Sequence, residues 1–349
     1  MFKDINESYI LQNESLNNSF KSAVLKDINE SCKILNTKFS LDSFNYFPIT
    51  NNNETFLNLF KREDNNSLNH FYTDDFYKNF IDKKNDFKLI KDSVVLGSSP
   101  SDNYFSNLIH FFPRIFFIND KKINLTIHRN LSNKFRKFIE TICILRDIDI
   151  SFTFLDDGFY YFNNSSIPEF FTIKKSIKIL KFFLEKILTN IKVPEFKPKI
   201  YIRREDANYR KILNEADLII ILRKKGYEII NPQHFDILEQ MKIFSNAKVI
   251  ISPHGSNMSN IIFCQKNTKI IEISPELNNE YEQNISSRYK NIADNLNLEF
   301  QTIKADSVDV DNHSELSVKY IHPKILKNSN YYKNMIIKIS EIEKKLNNL

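Results

Sequence analysis

Four glycines in 349 residues leave this backbone few places to turn without a side chain, and they stand at Gly97, Gly158, Gly226 and Gly255. A chain so poor in glycine keeps one mainly where a Cβ cannot be tolerated. Each sits at the edge of an apolar, strand-like run, which makes each a candidate turn or point of close approach to a ligand. Gly255 is the most telling. Val249-Ile250-Ile251 reads as a short buried strand, Ser252-Pro253-His254-Gly255-Ser256-Asn257 as a turn, and Asn257 to Phe263 as the start of a helix. Strand, turn and helix in that order fit a parallel α/β sheet, in which ligands bind at the carboxyl ends of the strands.

Composition allows two such domains. A hydrophobic fraction of 42% in a chain of this length can bury a sizeable core. The net charge of +6 suits an anionic small ligand or an acidic membrane surface, and it is too mild to argue for nucleic acid. The first residues lack the apolar core of a secretory signal, and no run approaches the length needed to span a bilayer. Cys32, Cys143 and Cys264 have neither metal-like spacing nor an even disulfide framework, so a reducing, cytoplasmic setting is expected.

The texture changes twice along the chain. Residues 1–90 are polar and Asn-rich, with a helix predicted near Ser22 to Leu35, and read as an irregular N-terminal extension packing on the first domain. Residues 91–195 alternate strand and helix: Val94 to Gly97, an amphipathic helix over Asn103 to Phe117, strands over Asn124 to His128 and Ile148 to Leu155, and a helix over Asn133 to Leu145 between them. A Lys-rich helix over Ile173 to Ile191 follows. It offers its apolar face for packing between domains, or its lysines to anionic lipid. Two prolines in Val193 to Pro198 mark a linker.

Residues 196–349 read as a second, more regular α/β domain. Strands are predicted at Lys199 to Arg203, Tyr227 to Ile230, Lys248 to Ser252, Lys269 to Ser274 and Glu299 to Ile303. Helices are predicted at Tyr209 to Lys224, closed by Gly226, and at Phe235 to Ser245, Tyr281 to Leu296 and Tyr331 to Leu346.

Three clusters carry candidate chemistry. At the turn, the helix N-terminus favours phosphate, Gly255 lets the backbone approach closely, and His254, Ser256 and Asn257 can donate to oxygens. The bland reading is a capped helix with a helpful glycine. Arg203-Arg204, with Arg210 one helical turn on and Asn214-Glu215 beyond, suits a bidentate anion clamp. A solvated run with internal Arg–Glu pairing is the alternative. Glu272, inside the apolar strand Ile270 to Ser274, either accepts both hydroxyls of a ribose or pairs with an arginine such as Arg204.

The order of these clusters resembles glycosyltransferase family 61. That family's pattern reads roughly Ser-Arg, Arg-x-x-x-Asn-Glu, Gly-Phe/Tyr, Glu-Gln, Ala-x-Val-Ile, His-Gly-Ala-Gly-x-Thr-Asn and Glu-Ile. Here those elements stand as Arg203-Arg204, Arg210 with Asn214-Glu215, Gly226-Tyr227, Glu239-Gln240, Ala247 with Val249-Ile250, His254 to Asn260, and Glu272-Ile273. Ser256, Asn257 and Ser259 replace the family's Ala, Gly and Thr, and Arg203 replaces its Ser. Upstream, Asp102 to Arg114 is similar to the family's Asn-Tyr-x-His-Trp…Asp…Pro-Arg segment, with Ser106-Asn107 in place of His-Trp and His110 in place of the Asp.

The resemblance implies a GT-B architecture of two facing Rossmann-like domains. It implies inverting transfer, without an essential metal or other cofactor, from a nucleotide sugar, most simply a UDP-sugar. The acceptor would be a glycan or lipid-linked sugar in surface polysaccharide synthesis, at the inner face of the membrane. The donor site would comprise Arg204, Arg210, Asn214, Glu215, His254, Gly255, Ser256, Asn257, Asn260 and Glu272. Asp102 and His110 are the expected catalytic pair, with Asp156 and Asp157 behind them. Two rivals stay open: a metal-dependent transferase using Asp147-Ile148-Asp149 or Asp309-Val310-Asp311, and a non-catalytic sugar-nucleotide or polysaccharide-binding protein.

Overall fold

The computed structural model describes residues 10–11, 20–44, 46–52, 54–60, 62, 80, 82, 87–97, 103–205, 207, 209–277, 282–283, 286–309 and 329–347. The chain divides into two compact units, Met1–Leu184 and Glu185–Leu349. It is mixed α/β throughout.

In the first unit, β1 (Ile10–Leu11) precedes a hairpin of β2 (Phe20–Leu25) and β3 (Glu30–Leu35), then β4 (Phe39–Asp42), β5 (Phe47–Thr50) and β6 (Thr55–Phe56). After β7 (Lys88–Lys91) and β8 (Val94–Val95) come β9 (Lys122–His128), β10 (Asp149–Leu155), β11 (Phe159–Asn163) and β12 (Ile167–Pro168). The parallel texture expected of this unit is confined to a three-stranded sheet, β10-β9-β8. A four-stranded sheet, β5-β4-β11-β7, and a three-stranded one, β12-β3-β2, lie beside it in the chain. Both join strands from before residue 92 to strands after residue 158.

The first 90 residues are therefore not an irregular extension over their described part. The helix expected near Ser22 to Leu35 is the β2–β3 hairpin. Asn29 turns it in the left-handed region (φ 48°), which asparagine tolerates, and Cys32 and Leu35 are buried. The segment Phe105 to Ile118 departs from expectation as well. It is buried on all sides rather than amphipathic, as a π-helical stretch over Ser106–Phe111 and a 3-10 stretch over Phe112–Phe117. Arg114 anchors it from the interior. Its guanidinium donates to the Leu96, Pro168 and Phe111 carbonyls and to the Tyr46 hydroxyl, and stacks 4.4 Å from the Phe170 ring.

The second unit is built on one six-stranded sheet, ordered β14-β13-β15-β16-β17-β18, from β13 (Lys199–Ile202), β14 (Glu228–Ile230), β15 (Val249–Pro253), β16 (Lys269–Pro275), β17 (Glu299–Val308) and β18 (Asn334–Ile336). The first five run parallel and β18 is antiparallel. Helices Glu215–Lys224, Ile237–Asn246, Arg288–Leu296 and Ile339–Asn347 join them. Strands β13, β15 and β16 are almost wholly buried, as their continuous apolar runs require. Tyr201, Ile251, Ile271 and Ile273 form a core with Leu218 and Leu222 of one helix and Ile342 of the last.

Two helices are shorter than the sequence suggests. Tyr209 to Leu213 is not helical, because Arg210 takes a left-handed backbone (φ 57°) and Ile212 bridges to Met335. The terminal helix begins only at Ile339; before it, Asn330–Tyr332 is a 3-10 turn and β18 adds to the sheet. Gly226 closes its helix as expected, at φ 83° with its N–H on the Arg223 carbonyl.

Candidate functional site

Strands β13, β15 and β16 lie side by side and in parallel, so their carboxyl ends deliver Arg203-Arg204, His254-Gly255 and the end of the Glu272 strand to one edge of the sheet. The two arginines part there. Arg203 donates from Nε and Nη2 to Glu215 Oε2 (3.2 and 2.9 Å) and pairs with Glu205, while Tyr201 Oη donates to Glu215 Oε1 at 2.8 Å. The internal pairing foreseen for this run is thus real, but it consumes Arg203 alone. Arg204 turns the other way, donates to the His254 carbonyl and lies across Gly255. A Cβ at residue 255 would meet its Cζ at 2.9 Å and its Cδ at 3.0 Å.

Arg210 completes a cationic pair. Its side chain is buried between aromatic rings, with the guanidinium carbon 4.1 Å from the Tyr331 ring centre and 4.7 Å from that of Tyr209. Its Nε and Nη1 have no hydrogen-bond partner. Burial, reinforced by the positive charge of Arg210, lowers the pKa of Arg204 to about 10, so both remain charged at neutral pH. Among the described residues no carboxylate pairs with either one. A buried cation beside a partly buried one, without an anion, is costly to keep, and such a pair suits a bound anion.

The 3-10 helix Ser256–Phe263 starts beside them, with Ser256 and Asn257 partly exposed. The first N–H groups of a helix lack intrahelical acceptors and point toward an approaching anion. Ser259 is not available to it, because its hydroxyl donates to the Ser256 carbonyl at 2.6 Å. Asn260 is fully buried.

His254 faces inward, 1% exposed, with Nδ1 2.6 Å from Glu272 Oε1 and Nε2 3.1 Å from the Tyr331 hydroxyl. The Tyr289 ring packs 5.0 Å from its own. Burial holds its pKa well below the usual histidine value, and the charges of Arg210, Arg288, Arg204 and Lys304 push the same way. The imidazole is neutral at pH 7. Glu272 is 2% exposed, and its other oxygen accepts from Thr302 Oγ1 at 3.3 Å. Burial raises its carboxyl to about 7. Its protein partners are His254 and Thr302 rather than an arginine.

Several residues of the expected donor region make contacts that hold the scaffold. Asn214 mimics a strand: Nδ2 donates to the Ile337 carbonyl at 2.9 Å and Oδ1 accepts from the Ile337 N–H at 3.0 Å. Glu215 immobilises Arg203. Of the Glu-Gln element, Glu239 forms a capping box with Asp236, and Gln240 donates to the Pro232 and Phe235 carbonyls. Sequence reasoning missed Tyr331, Tyr289 and Arg288. Tyr331 carried no signal, since it stands apart from every motif in a segment predicted to be helical.

In the first unit, Asp102 lies outside the described residues. His110 is 1% exposed, with the Phe105 ring 5.5 Å and the Phe170 ring 6.4 Å from its own. A base must reach the hydroxyl it deprotonates, and the structure places His110 inside the unit rather than at its surface. Asp156 and Asp157 follow the carboxyl end of β10: Asp156 binds Arg129 at 2.7 Å, and the half-exposed Asp157 lies 3.1 Å from His128 Nε2. The candidate metal pairs are surface ion pairs. Asp147 meets Lys121 at 2.6 Å, Asp149 meets Lys122 at 3.8 Å, and Asp309 meets Lys333 at 3.1 Å, while Asp311 lies outside the described residues. Among the described residues no three metal-ligating side chains converge, and no helix is long and apolar enough to cross a membrane.

No curated protein sequence matches the chain. The profile of the family Glycosyltransferase 61 matches residues 65–271, more than half of it, and covers Arg204, Arg210 and the His254–Gly255 turn. With that match and this order of strand-end residues, the chain belongs to glycosyltransferase family 61 and is a glycosyltransferase.

Proposed function

We propose that the second unit binds the diphosphate of a nucleotide sugar at Arg204, Arg210 and the start of the Ser256–Phe263 helix, and that the enzyme transfers the sugar with inversion and without a metal. The observation that carries this reading is the unneutralised pair Arg204–Arg210 at the carboxyl ends of parallel strands. As the sugar–phosphate bond breaks, charge develops on the departing diphosphate. Fixed guanidinium groups and helix N–H groups stabilise it there, the work a bound cation does in other transferases.

UDP is the nucleotide the family resemblance suggests, a GT-B pairing of the two units the architecture it suggests. The acceptor is then a glycan or lipid-linked sugar of a surface polysaccharide, met at the cytoplasmic face of a membrane. Inversion in one displacement needs a base for the acceptor hydroxyl. Asp102 remains a candidate, and Asp157 is the described carboxylate we assign to the role: half-exposed, and oriented by the buried His128.

The test is calorimetric titration of purified protein with UDP, GDP, ADP and inorganic pyrophosphate, followed by hydrolysis and transfer assays on UDP-sugars with and without chelator. Micromolar to millimolar UDP binding and chelator-resistant turnover are expected. Binding of none of the four probes would sink the donor site, and loss of turnover in chelator would sink metal independence. Asp157→Asn is expected to lower turnover at least a hundredfold with nucleotide affinity unchanged; normal turnover rules Asp157 out as the base.

A further inference from the structure

The chain Tyr331–His254–Glu272 joins the cationic pair to a buried acid through one neutral imidazole. Both ring nitrogens are committed, Nδ1 to Glu272 at 2.6 Å and Nε2 to Tyr331 at 3.1 Å. The Tyr331 ring in turn carries the Arg210 guanidinium on its face at 4.1 Å. Such a chain has two directions. With Glu272 ionised, the imidazole Nδ1–H donates to the carboxylate, so Nε2 is the acceptor and takes the Tyr331 O–H. With Glu272 protonated, its O–H donates to Nδ1, Nε2–H donates to the Tyr331 oxygen, and the Tyr331 O–H is released.

We propose, on the donor-site reading above, that Tyr331 is a further diphosphate-binding residue, and that its hydroxyl is made available by reversal of the Tyr331–His254–Glu272 chain on uptake of one proton. The proton count balances. The Nδ1 proton passes to Glu272, one proton from solvent is taken up at Nε2, and Tyr331 keeps its own proton, turned from the imidazole to a phosphate oxygen. His254 stays neutral throughout and changes only its tautomer, so it is a positioning residue.

The surroundings support this exchange. Arg204, Arg210, Arg288 and Lys304 resist a charged imidazole, and the Tyr289 ring packs against it. Thr302 donates to the second oxygen of Glu272 and leaves Oε1 to His254. Burial brings the Glu272 carboxyl to about 7, where both directions of the chain are populated at neutral pH.

The experiment is titration of the full-length protein with UDP at pH 7.5 and 8.5, above the phosphate's own titration near pH 6, in HEPES and in Tris. The difference in ionisation heat between the buffers counts protons. A net uptake of a fraction of a proton is expected, with affinity falling by up to about tenfold from pH 7.5 to 8.5. Glu272→Gln should abolish both the uptake and the pH dependence, because the amide N–H donates to Nδ1 and holds the chain in its second direction. Tyr331→Phe keeps the ring beneath Arg210; it should abolish the uptake and weaken UDP binding. UDP binding to the wild type without proton uptake, or uptake that persists in either variant, overturns the relay and leaves the donor site standing. Failure of UDP, GDP and pyrophosphate alike to bind the wild type overturns both.

Discussion

The guanidinium of Arg204 occupies the space that a side chain at Gly255 would fill. The glycine is needed for that packing and not for its backbone, which is extended at φ −179° and open to any residue. Gly255→Ala should therefore fold with a melting temperature within a few degrees of wild type, since only the far end of a flexible side chain must move. Loss of a charge-assisted contact of roughly 1.5–3 kcal/mol predicts about ten- to hundredfold weaker nucleotide binding. Titration with UDP beside a melting curve checks both halves.

Arg203 and Arg204 are adjacent in sequence and opposite in role. Arg204→Ala should weaken nucleotide binding by about 2–5 kcal/mol, with little loss of stability. Arg203→Ala should leave affinity within a few-fold, and instead leave Glu215, at the start of the Glu215–Lys224 helix, with Tyr201 alone. Equal effects of the two on binding would show that the clamp is assigned in the wrong register.

Asn214 ties the Glu215–Lys224 helix to Ile337, the residue after β18, through two hydrogen bonds. Asn214→Ala leaves a backbone N–H and a carbonyl unsatisfied, a cost of about 1–3 kcal/mol each. Chemical denaturation should show that loss. Asn214→Asp retains the acceptor and should lose less.

Glu272 and His254 pull stability in opposite directions with pH. The carboxyl of Glu272 is raised from 4.5 to about 7, so its contribution is full below 4.5 and lost as pH rises through 7. The imidazole of His254 is lowered well below 6.5, so its contribution is full above 6.5 and lost as pH falls. Between pH 5 and 6.5 the two oppose each other. Glu272→Gln removes the first and leaves the second, so the variant should gain stability with rising pH in this window more steeply than wild type, by up to about 1.4 kcal/mol per pH unit. Unfolding free energies at pH 5, 5.75 and 6.5 check the slope.

The strand ends that build the site were legible because their cues are local. A run of β-branched residues, a turn and a lone glycine identify the His254–Gly255 loop within twelve residues. The β2–β3 hairpin was misread because Val24, Leu25, Ile28, Cys32 and Leu35 fit a helical spacing, and only the pairing of β3 with β2 and β12 makes this stretch strand. The roles of Asn214 and Glu272 were beyond reach for a different reason. Their partners, Ile337, His254 and Thr302, stand between 18 and 123 residues away in the sequence, and no local pattern announces such a hydrogen bond. Tyr331 is the extreme case, a tyrosine made important only by where β18 returns to the sheet.

The return of β18 also sets how short this enzyme can be made. The family profile ends at Ile271, one residue before Glu272, and a fragment cut there would break β16 in its middle and lose β17 beside it. Ending the chain between Asp309 and Ser329 would keep five parallel strands yet remove the aromatic wall of Arg210, the far end of the His254 hydrogen bonds and the clasp on Asn214 together. Proteolytic trimming that reaches β18 should release a protein still rich in sheet but blind to nucleotide.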